Sequence, residues 1–298
     1  MDIVMLGHSA AGKTTYVSLM YAAMRDGIQG FSLRTDDVLV HGALTSAAEA
    51  VLRGRYPDMS SRRQVFDFVL QYQGRDVLPF RWRDYRGGAL TERQADSAQA
   101  GQLQRDLVEA QGIVVFVDAH RLLTDNGSDR HMRRMTVLVQ RALEARGDEL
   151  TPLVIAFTKS DLLDLDRADL LERLVEPFDG LIEGVARTQH LRGALALVAC
   201  GPEPVNVAVP VLWSLHHGIV GRGLALHTSI EESLASARRA AANDTPWDRI
   251  SSWWKEEDSW AEIRARHERA AQAEYQLLEP LFEPAERLEG LLQDVLCF

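Results

Sequence analysis

Residues 3–14 read IVMLGHSAAGKT, and this stretch decides the fold of the chain. It opens with the apolar run 3–6, which is typical of a strand buried on both faces of a parallel sheet. Residues 14–25 follow with apolar side chains at helical spacing. A buried strand, a glycine-bearing turn and a helix in this order predict an α/β unit whose turn binds phosphate at the helix N-terminus.

The turn itself matches the pattern G-x-x-x-x-G-K-S/T over residues 7–14. Two glycines let the backbone approach a phosphate, because no Cβ stands in the way. Successive backbone N–H groups would bind phosphate oxygens, the Lys13 ammonium would reach the β- and γ-phosphates, and the Thr14 hydroxyl would bind Mg²⁺. The alternative is an ordinary glycine turn with a surface lysine. The predicted nucleotide contacts are Gly7, His8, Ser9, Ala10, Ala11, Gly12, Lys13, Thr14 and Thr15.

A second candidate for nucleotide recognition is the sequence T-K-S-D at residues 158–161, directly after the apolar run 153–157. A carboxylate at Asp161 would accept hydrogen bonds from N1–H and the N2 amino group of guanine, whereas adenine offers neither donor at that edge. The stem of Lys159 would lie along the base and brace the phosphate loop. Helix capping by Ser160 or Asp161 is the alternative. The predicted base contacts here are Thr158, Lys159 and Asp161.

A third motif, D-Y-R-G, occupies residues 84–87 at the end of the predicted strand 77–83. Asp84 would hold Mg²⁺ through water, and the Gly87 N–H would bond the γ-phosphate and release it after hydrolysis, so that the following loop becomes a switch. An ordinary turn is the alternative. The predicted catalytic residues are Lys13 of the phosphate loop together with Asp84 and Gly87.

The rest of the chain alternates apolar strands with helices, which indicates a parallel sheet covered on both faces. The further predicted strands are 31–35, 64–73, 77–83, 113–117, 153–157 and, as the last clear strand, 195–199. The further predicted helices are 43–52, 91–111, 131–145 and 168–187, the last interrupted near Pro177 and Gly180. We expect an α/β protein with the P-loop NTPase fold: a doubly wound, mostly parallel sheet, with the nucleotide at the carboxyl ends of its strands.

The net charge, the cysteines and the apolar stretches of the chain argue against several classes of protein. The formal net charge of −10 argues against general affinity for nucleic acid or anionic membranes. The two cysteines, Cys200 and Cys297, lack metal-like spacing and fit a reducing cytoplasm. No signal peptide is evident, and the apolar stretch 205–226 is interrupted by histidine, arginine and proline, so it predicts a buried helix or packed loop rather than a membrane span. We expect a cytoplasmic protein with no integral membrane segment and no nucleic-acid partner.

Beyond about residue 242 the chain becomes charged and helical in pattern. We predict a nucleotide-binding domain at residues 1–242 and a helical C-terminal extension at residues 243–298. Four tryptophans in this extension would either form a partner-binding surface or pack its helix onto the core. They are Trp247, Trp253, Trp254 and Trp260.

Taken together, the motifs at residues 7–14, 84–87 and 158–161 resemble the first, third and fourth motifs of Ras-like and translation-factor-class GTPases. The resemblance covers roughly residues 1–225. The long stretch before D-Y-R-G, with its extra helix, is similar to bacterial GTPase domains of the double-GTPase type. Where the fifth, base-binding motif would follow the last strand, the chain has Ala199 and Cys200, which are similar to the family's serine-alanine pair only in being small.

The resemblance implies GTP or GDP and Mg²⁺ as ligands. It also implies protein partners that bind through the switch regions or the C-terminal helices. For the Mg²⁺ ligand that such GTPases place on the first switch as a threonine, the sequence offers no unique match. Ser60 and Ser61 stand in the expected place, Ser61 is our assignment, and Thr45 is a further candidate.

A departure from the family pattern bears on hydrolysis. Ras-like enzymes place a water-orienting glutamine directly after the glycine of D-x-x-G, where this chain has Gly88. A glycine cannot orient water through a side chain, so intrinsic hydrolysis should be slow or should use another residue. The candidate internal arginine fingers, each with the alternative of a solvated surface arginine, are Arg62, Arg63 and Arg86.

The sequence therefore predicts a Mg²⁺-dependent, slow GTPase that acts as a molecular switch. One alternative is a GTP-binding interaction module that hardly hydrolyses, which Gly88 favours, whereas Lys13, Thr14 and Asp84 favour real catalysis. The other is a P-loop ATPase in which T-K-S-D is a coincidence.

Overall fold

The computed structural model describes residues 1–57, 63–85, 98–125, 128–243 and 260–298. These residues form two compact units. The larger consists of Met1–Gly218 and Leu288–Phe298, and the smaller of Ile219–Arg287. The functional division of the chain at residue 242 stays a prediction.

The larger unit is built on one sheet. Its strands are β1 (Asp2–Gly7), β2 (Phe31–Arg34), β3 (Gln64–Tyr72), β4 (Arg75–Asp84), β5 (Gly112–Asp118), β6 (Thr151–Thr158), β7 (Leu191–Val198) and β8 (Leu296–Cys297). They lie in the order β2-β3-β4-β1-β5-β6-β7-β8. The five central strands from β4 to β7 are parallel, whereas β3 runs antiparallel to β2 and β4, and β8 antiparallel to β7. The prediction of a mostly parallel sheet is confirmed.

Helices connect and cover these strands. They are α1 (Lys13–Arg25), α2 (Val38–Leu52), α3 (Ala98–Glu109), α4 (Ala119–Thr124), α5 (Ser128–Glu144), α6 (Leu170–Val175), α7 (Asp179–Ala186), α8 (Val209–Asn243), α9 (Trp260–Leu278) and α10 (Phe282–Leu291). A short 3-10 turn containing Pro177 separates α6 from α7, at the interruption that the sequence predicts. Much of the apolar stretch 205–226 is helical, as the first part of α8. Among the described residues, none of the helices has the length and apolar character needed to cross a membrane.

The core lies around the central strands. Every residue of β6 is buried, as is all of β5 except its last residue. Their apolar side chains pack with Leu107, Val139 and Val185, which come from α3, α5 and α7. Continuous apolar runs can be buried on both sides, and this is why the sequence forms such strands here. The packing fixes the carboxyl ends of the central strands, where the sequence places its motifs.

The sheet has one strand more than the sequence predicts. After the last clear strand that the sequence predicts, the two-residue strand β8 pairs with β7 through Ala194 opposite Cys297 and Leu195 opposite Leu296. A pairing of two residues carries no periodicity that a sequence could reveal.

The smaller unit is helical. It contains the later part of α8 and all of α9, and the Ser229 hydroxyl donates a hydrogen bond to the Glu274 carboxylate across 2.6 Å. Trp260, at the start of α9, is exposed. The other three tryptophans of the extension, Trp247, Trp253 and Trp254, lie outside the described residues.

Candidate nucleotide-binding site

The phosphate loop, residues 7–14, joins the carboxyl end of β1 to the start of α1. Gly12 caps α1 with a φ of 79°, in the left-handed region that favours glycine. A Cβ on Gly7 would lie 2.7 Å from the carbonyl oxygen of Phe116 on β5. Ser9 and Ala10, at the tip, are exposed. The conformation of the loop therefore depends on both glycines, one for its backbone angle and the other for its closeness to the neighbouring strand.

Lys13 folds back over the loop. Its ammonium donates to the carbonyl oxygen of Gly7 at 2.8 Å and lies 3.5 Å from that of His8. The residue is 8% exposed, so it is not a surface lysine. Burial lowers the pKa of the Lys13 ammonium, and the nearby negative charge of Asp84 opposes that shift. An ammonium has three N–H donors, so one remains to meet a phosphate oxygen.

Asp84 is the last residue of β4, the strand beside β1. It is 1% exposed, and neither of its carboxylate oxygens has a hydrogen-bond partner among the described residues. Burial raises the pKa of Asp84 to about 6, against the attraction of Lys13. Buried polar groups are normally satisfied, so a bare buried carboxylate calls for a ligand.

The residues present fit Mg²⁺. The ion prefers oxygen ligands, and it usually binds through one or two carboxylates together with substrate phosphates and water. Asp84 and the hydroxyl of Thr14, at the second position of α1, supply such oxygens. No group of three or more metal-binding side chains occurs within the described ranges. Mg²⁺ bound with a nucleotide also takes oxygens from phosphate and water.

Several predicted positions around the γ-phosphate lie outside the described residues: Ser60, Ser61, Arg62, Arg86, Gly87 and Gly88. Thr45 lies within α2, and Thr15 is buried in the first turn of α1. Arg63 is the described member of the arginine-finger candidates. Its guanidinium donates to the carboxylate of Asp106 on α3 at 2.6 Å.

At the base end, Thr158 connects the two nucleotide-binding loops. Its hydroxyl lies 3.1 Å from the carbonyl oxygens of both Ala11 and Val117, and it donates to one or the other. Thr158 is fully buried at the end of β6. The sequence assigns the bracing of the phosphate loop to Lys159, but the described contact is made by Thr158.

Lys159 instead binds Asp118, the last residue of the buried strand β5. The Lys159 ammonium and the Asp118 carboxylate are 2.5 Å apart. The other carboxylate oxygen of Asp118 accepts a hydrogen bond from the backbone N–H of Arg121 at 3.0 Å and so caps α4. Sequence reasoning missed Asp118, although it ends an apolar strand just as Asp84 does.

Asp161 lies in a short 3-10 turn, Ser160–Leu162, and its side chain is exposed. In this described turn no side chain caps the N-terminus, so the capping alternative for Ser160 and Asp161 does not apply. A Cβ built on Gly201 would lie 3.9 Å from the Asp161 carboxylate and 3.5 Å from the hydroxyl of Tyr56. Tyr56, in the loop after α2, is a neighbour of the base loop that sequence reasoning also missed.

Ala199 and Cys200 follow β7 beside this turn. Ala199 is buried, and its backbone pairs with that of Val205 through two hydrogen bonds of 3.1 Å. Burial and then the charge of Asp161 raise the pKa of the Cys200 thiol to about 12, so the thiol stays neutral at physiological pH. The two small residues and Asp161 thus lie at the carboxyl ends of adjacent strands, β6 and β7.

The chain is similar to known GTPases in sequence and in fold. The family model described as Double-GTPase 1 matches residues 4–164, which is more than half of the chain. No curated protein matches the chain. Among solved structures, the signal recognition particle receptor SRb-GTP/SRX complex from Chaetomium thermophilum is similar at 15% identity, covering 73% of this chain and 97% of that one, with a TM-score of 0.44. The Arl6 BBS3 small GTPase from Trypanosoma brucei is similar at 14% identity, covering 72% and 95%, with a TM-score of 0.41.

Proposed function

The chain belongs to the Double-GTPase 1 family and is a GTP-binding switch protein, and from this premise we propose that it hydrolyses GTP slowly to GDP and phosphate in a Mg²⁺-dependent reaction. The observation that carries the proposal is the pair formed by Lys13 and Asp84. One is a buried ammonium with an N–H to offer, and the other is a buried carboxylate whose oxygens are bare in the described part of the chain.

Each of these residues has a defined task in the proposed reaction. Backbone N–H groups of the phosphate loop and the Lys13 ammonium bind the β- and γ-phosphate oxygens. Thr14 and Asp84 would hold Mg²⁺, which when bound neutralises charge on those oxygens. Water attacks the γ-phosphorus, the bond to the β–γ bridging oxygen breaks, and GDP and inorganic phosphate leave. With Gly88 after the D-Y-R-G motif, this position has no side chain to orient the water, so the reaction is slow.

The base end selects the nucleotide. Asp161 would accept two hydrogen bonds from the guanine edge, with Lys159 along the base and Thr158, Ala199 and Cys200 around it. A site built to accept these bonds rejects a base that lacks the donors, because its carboxylate would lose water without gaining partners. This supports GTP over ATP.

A GTP-binding module that hardly hydrolyses is the second candidate. Arg63, the arginine-finger candidate that the structure describes, has its guanidinium engaged by Asp106. An N–H group that binds Asp106 is not available to a γ-phosphate oxygen. Together with Gly88, this favours a protein that waits for an activator to supply the missing group.

The domain organisation, the partners and the location of the protein follow from weaker observations. We propose a nucleotide-binding domain over residues 1–242 and an extension over residues 243–298 that offers a surface to protein partners. The net charge of −10 supports a protein without nucleic-acid partners. Free thiols at Cys200 and Cys297 support a reducing, cytoplasmic location.

One experiment separates these functions. Purified protein with Mg²⁺ is titrated with GTP and with ATP, phosphate release is followed in the same samples, and Lys13→Ala serves as the control. Selective GTP binding with phosphate release that is lost in the control supports the slow GTPase. Selective GTP binding without release supports the binding module, and equal binding of ATP would refute the guanine assignment.

A further inference from the structure

Asp106 on α3 is the opposite of Asp84: a carboxylate of similar burial whose oxygens are fully used. It is 2% exposed. One oxygen accepts from Gln102 at 2.7 Å and pairs with Arg83 at 2.8 Å, and the other accepts from Arg63 at 2.6 Å and from the Tyr85 hydroxyl. Four donors on one buried carboxylate make a rigid junction, since each bond restrains the same group.

Two of these donors are the chain neighbours of Asp84. Side chains alternate along a strand, so residues 83 and 85 point to one face at the end of β4 and residue 84 to the other. Asp106 therefore binds the strand end from the face opposite the Asp84 carboxylate. Arg83 is also anchored to Asp2 at the start of β1, with 2.6 Å between guanidinium and carboxylate.

A third donor holds the strand end from the side. Arg63 directly precedes β3, whose first residue, Gln64, lies opposite Asp84 in the antiparallel register. The Arg63 guanidinium also stacks on the Tyr85 ring, with its central carbon 5.2 Å from the ring centre. Asp106 thus binds side chains from its own helix α3, from the residue before β3 and from both sides of Asp84.

We propose that Asp106 is a positioning residue, which fixes the direction of the Asp84 carboxylate toward the phosphate loop by holding Arg83 and Tyr85 on either side of it. The inference rests on the proposed role of Asp84 as a Mg²⁺ ligand. The Asp84 carboxylate has no hydrogen bond within the described residues, so no side-chain contact sets its direction. Its direction therefore depends on the strand end that carries it, which is paired with β1 and β3 and held through Arg83 and Tyr85, and ligand geometry of this kind is held by such outer contacts.

The test measures how strongly Mg²⁺ enhances nucleotide binding. The affinity for a non-hydrolysable GTP analogue is measured with Mg²⁺ and with a chelator, in the wild type and in Asp84→Asn, Asp106→Asn and Tyr85→Phe. Asp76→Asn is the matched control, because Asp76 lies on the same strand and pairs with Arg34 at 2.6 Å on the exposed surface. Thermal unfolding of each variant reports on folding independently.

Asp106→Asn should lower the affinity with Mg²⁺ about tenfold while leaving the affinity with chelator nearly unchanged, as expected for a residue that orients a metal ligand. Tyr85→Phe should give a smaller loss of the same kind, and it carries the test if Asp106→Asn does not fold. Asp76→Asn should change neither value.

Two results would overturn the proposal, and they differ from failure of the proposed function. Equal losses with and without Mg²⁺ in Asp106→Asn, or no loss in either folded variant, would mean that Asp106 acts only on stability or not at all. If Asp84→Asn itself leaves the Mg²⁺ enhancement intact, the proposed role of Asp84 fails, and the positioning role of Asp106 fails with it.

Discussion

At the phosphate end of the site the charged side chains are buried, whereas at the base end they are exposed or already paired. Lys13 and Asp84 lie in the protein interior, and the Asp84 oxygens lack partners as far as the chain is described. Asp161 is exposed, and Lys159 is bound to Asp118. Both ends lie at the carboxyl edge of the same sheet, so the contrast is one of local burial rather than of fold.

The contrast indicates a division of labour. Burying a charge without a partner is unfavourable, and a ligand that supplies the partner recovers that free energy on binding. An exposed carboxylate keeps its water until the ligand arrives, so its net gain is smaller but depends strongly on the donors that the base offers. We therefore expect affinity to come mainly from the phosphate end and selectivity from the base end.

The largest effect is expected from Lys13→Ala. The variant lacks the ammonium that would meet the phosphate oxygens, and truncating one partner of a desolvated charge pair costs about 4 kcal/mol of binding free energy, which corresponds to roughly a thousandfold loss in affinity for GTP. Fluorescent nucleotide titration measures it. Lys159→Ala is the matched control, because that lysine is partly exposed and should lose far less. Equal losses in the two variants would contradict the division of labour.

The next effect is a change of preference rather than of affinity alone. Asp161→Asn should weaken GTP binding about a hundredfold, since hydrogen bonds to a charged group are each worth roughly 1.5–3 kcal/mol. An amide at this position offers a donor that suits xanthine, so binding of xanthosine triphosphate should improve. Competition between the two nucleotides measures the switch. An unchanged preference for guanine in the variant would show that Asp161 does not read the base.

The phosphate end could be predicted from the sequence because its residues lie close together in the chain. Gly7, Gly12 and Lys13 fall within one turn between a strand and a helix, and the local pattern contains the structural reason for each. The parallel arrangement of the central strands follows from the same alternation of buried strands and helices. The fold class could therefore be predicted from the sequence, whereas the roles of the motif residues remain predictions.

The base end was harder because its contacts join distant parts of the chain. Asp118 meets Lys159 from another strand, and Tyr56 comes from a loop more than a hundred residues away from Asp161. Asp106 is a further example, since nothing in its helix reveals that Arg63, just before β3, and Arg83 on β4 both pair with it. Such pairings are set by the register of the sheet and by side-chain packing, and a single sequence does not reveal them.

A smaller effect is expected when the pH changes. The Mg²⁺-dependent part of nucleotide binding, which involves the phosphate end, should depend on pH, whereas binding at the base end should not. The pKa of Asp84 is raised to about 6, so its carboxyl loses the proton at a higher pH in the folded protein than in the unfolded chain. In the ligand-free protein this group therefore contributes stability below about pH 4, and the contribution is lost as the pH rises through 6. Mg²⁺ needs the ionised form, so its binding should change in the opposite direction.

The measurement is the Mg²⁺ enhancement of GTP-analogue binding at pH 7 and at pH 5. With a pKa of about 6, roughly one-eleventh of the Asp84 carboxyl would be ionised at pH 5 and about ten-elevenths at pH 7, so the enhancement should fall roughly tenfold on acidification. Asp84→Asn should show little enhancement at either pH. A wild-type enhancement that is flat between these values would place the relevant proton elsewhere.

The smallest effect should come from Asp118→Asn at the base end. The Lys159 ammonium and Asp118 carboxylate form a partly exposed pair, and such pairs are worth about 1 kcal/mol or less. GDP should dissociate at most about fivefold faster. The Lys159 ammonium loses its ion pair with residue 118, but the aliphatic part of its side chain can still lie along the base. Asp125→Asn, in the exposed pair with Arg121 on the same segment, is the control and should leave the rate unchanged. If GDP dissociated about a thousandfold faster from Asp118→Asn, the effect would match that of Lys13→Ala on affinity. The base end would then depend on a buried charge as strongly as the phosphate end, and the contrast between the two ends would fail.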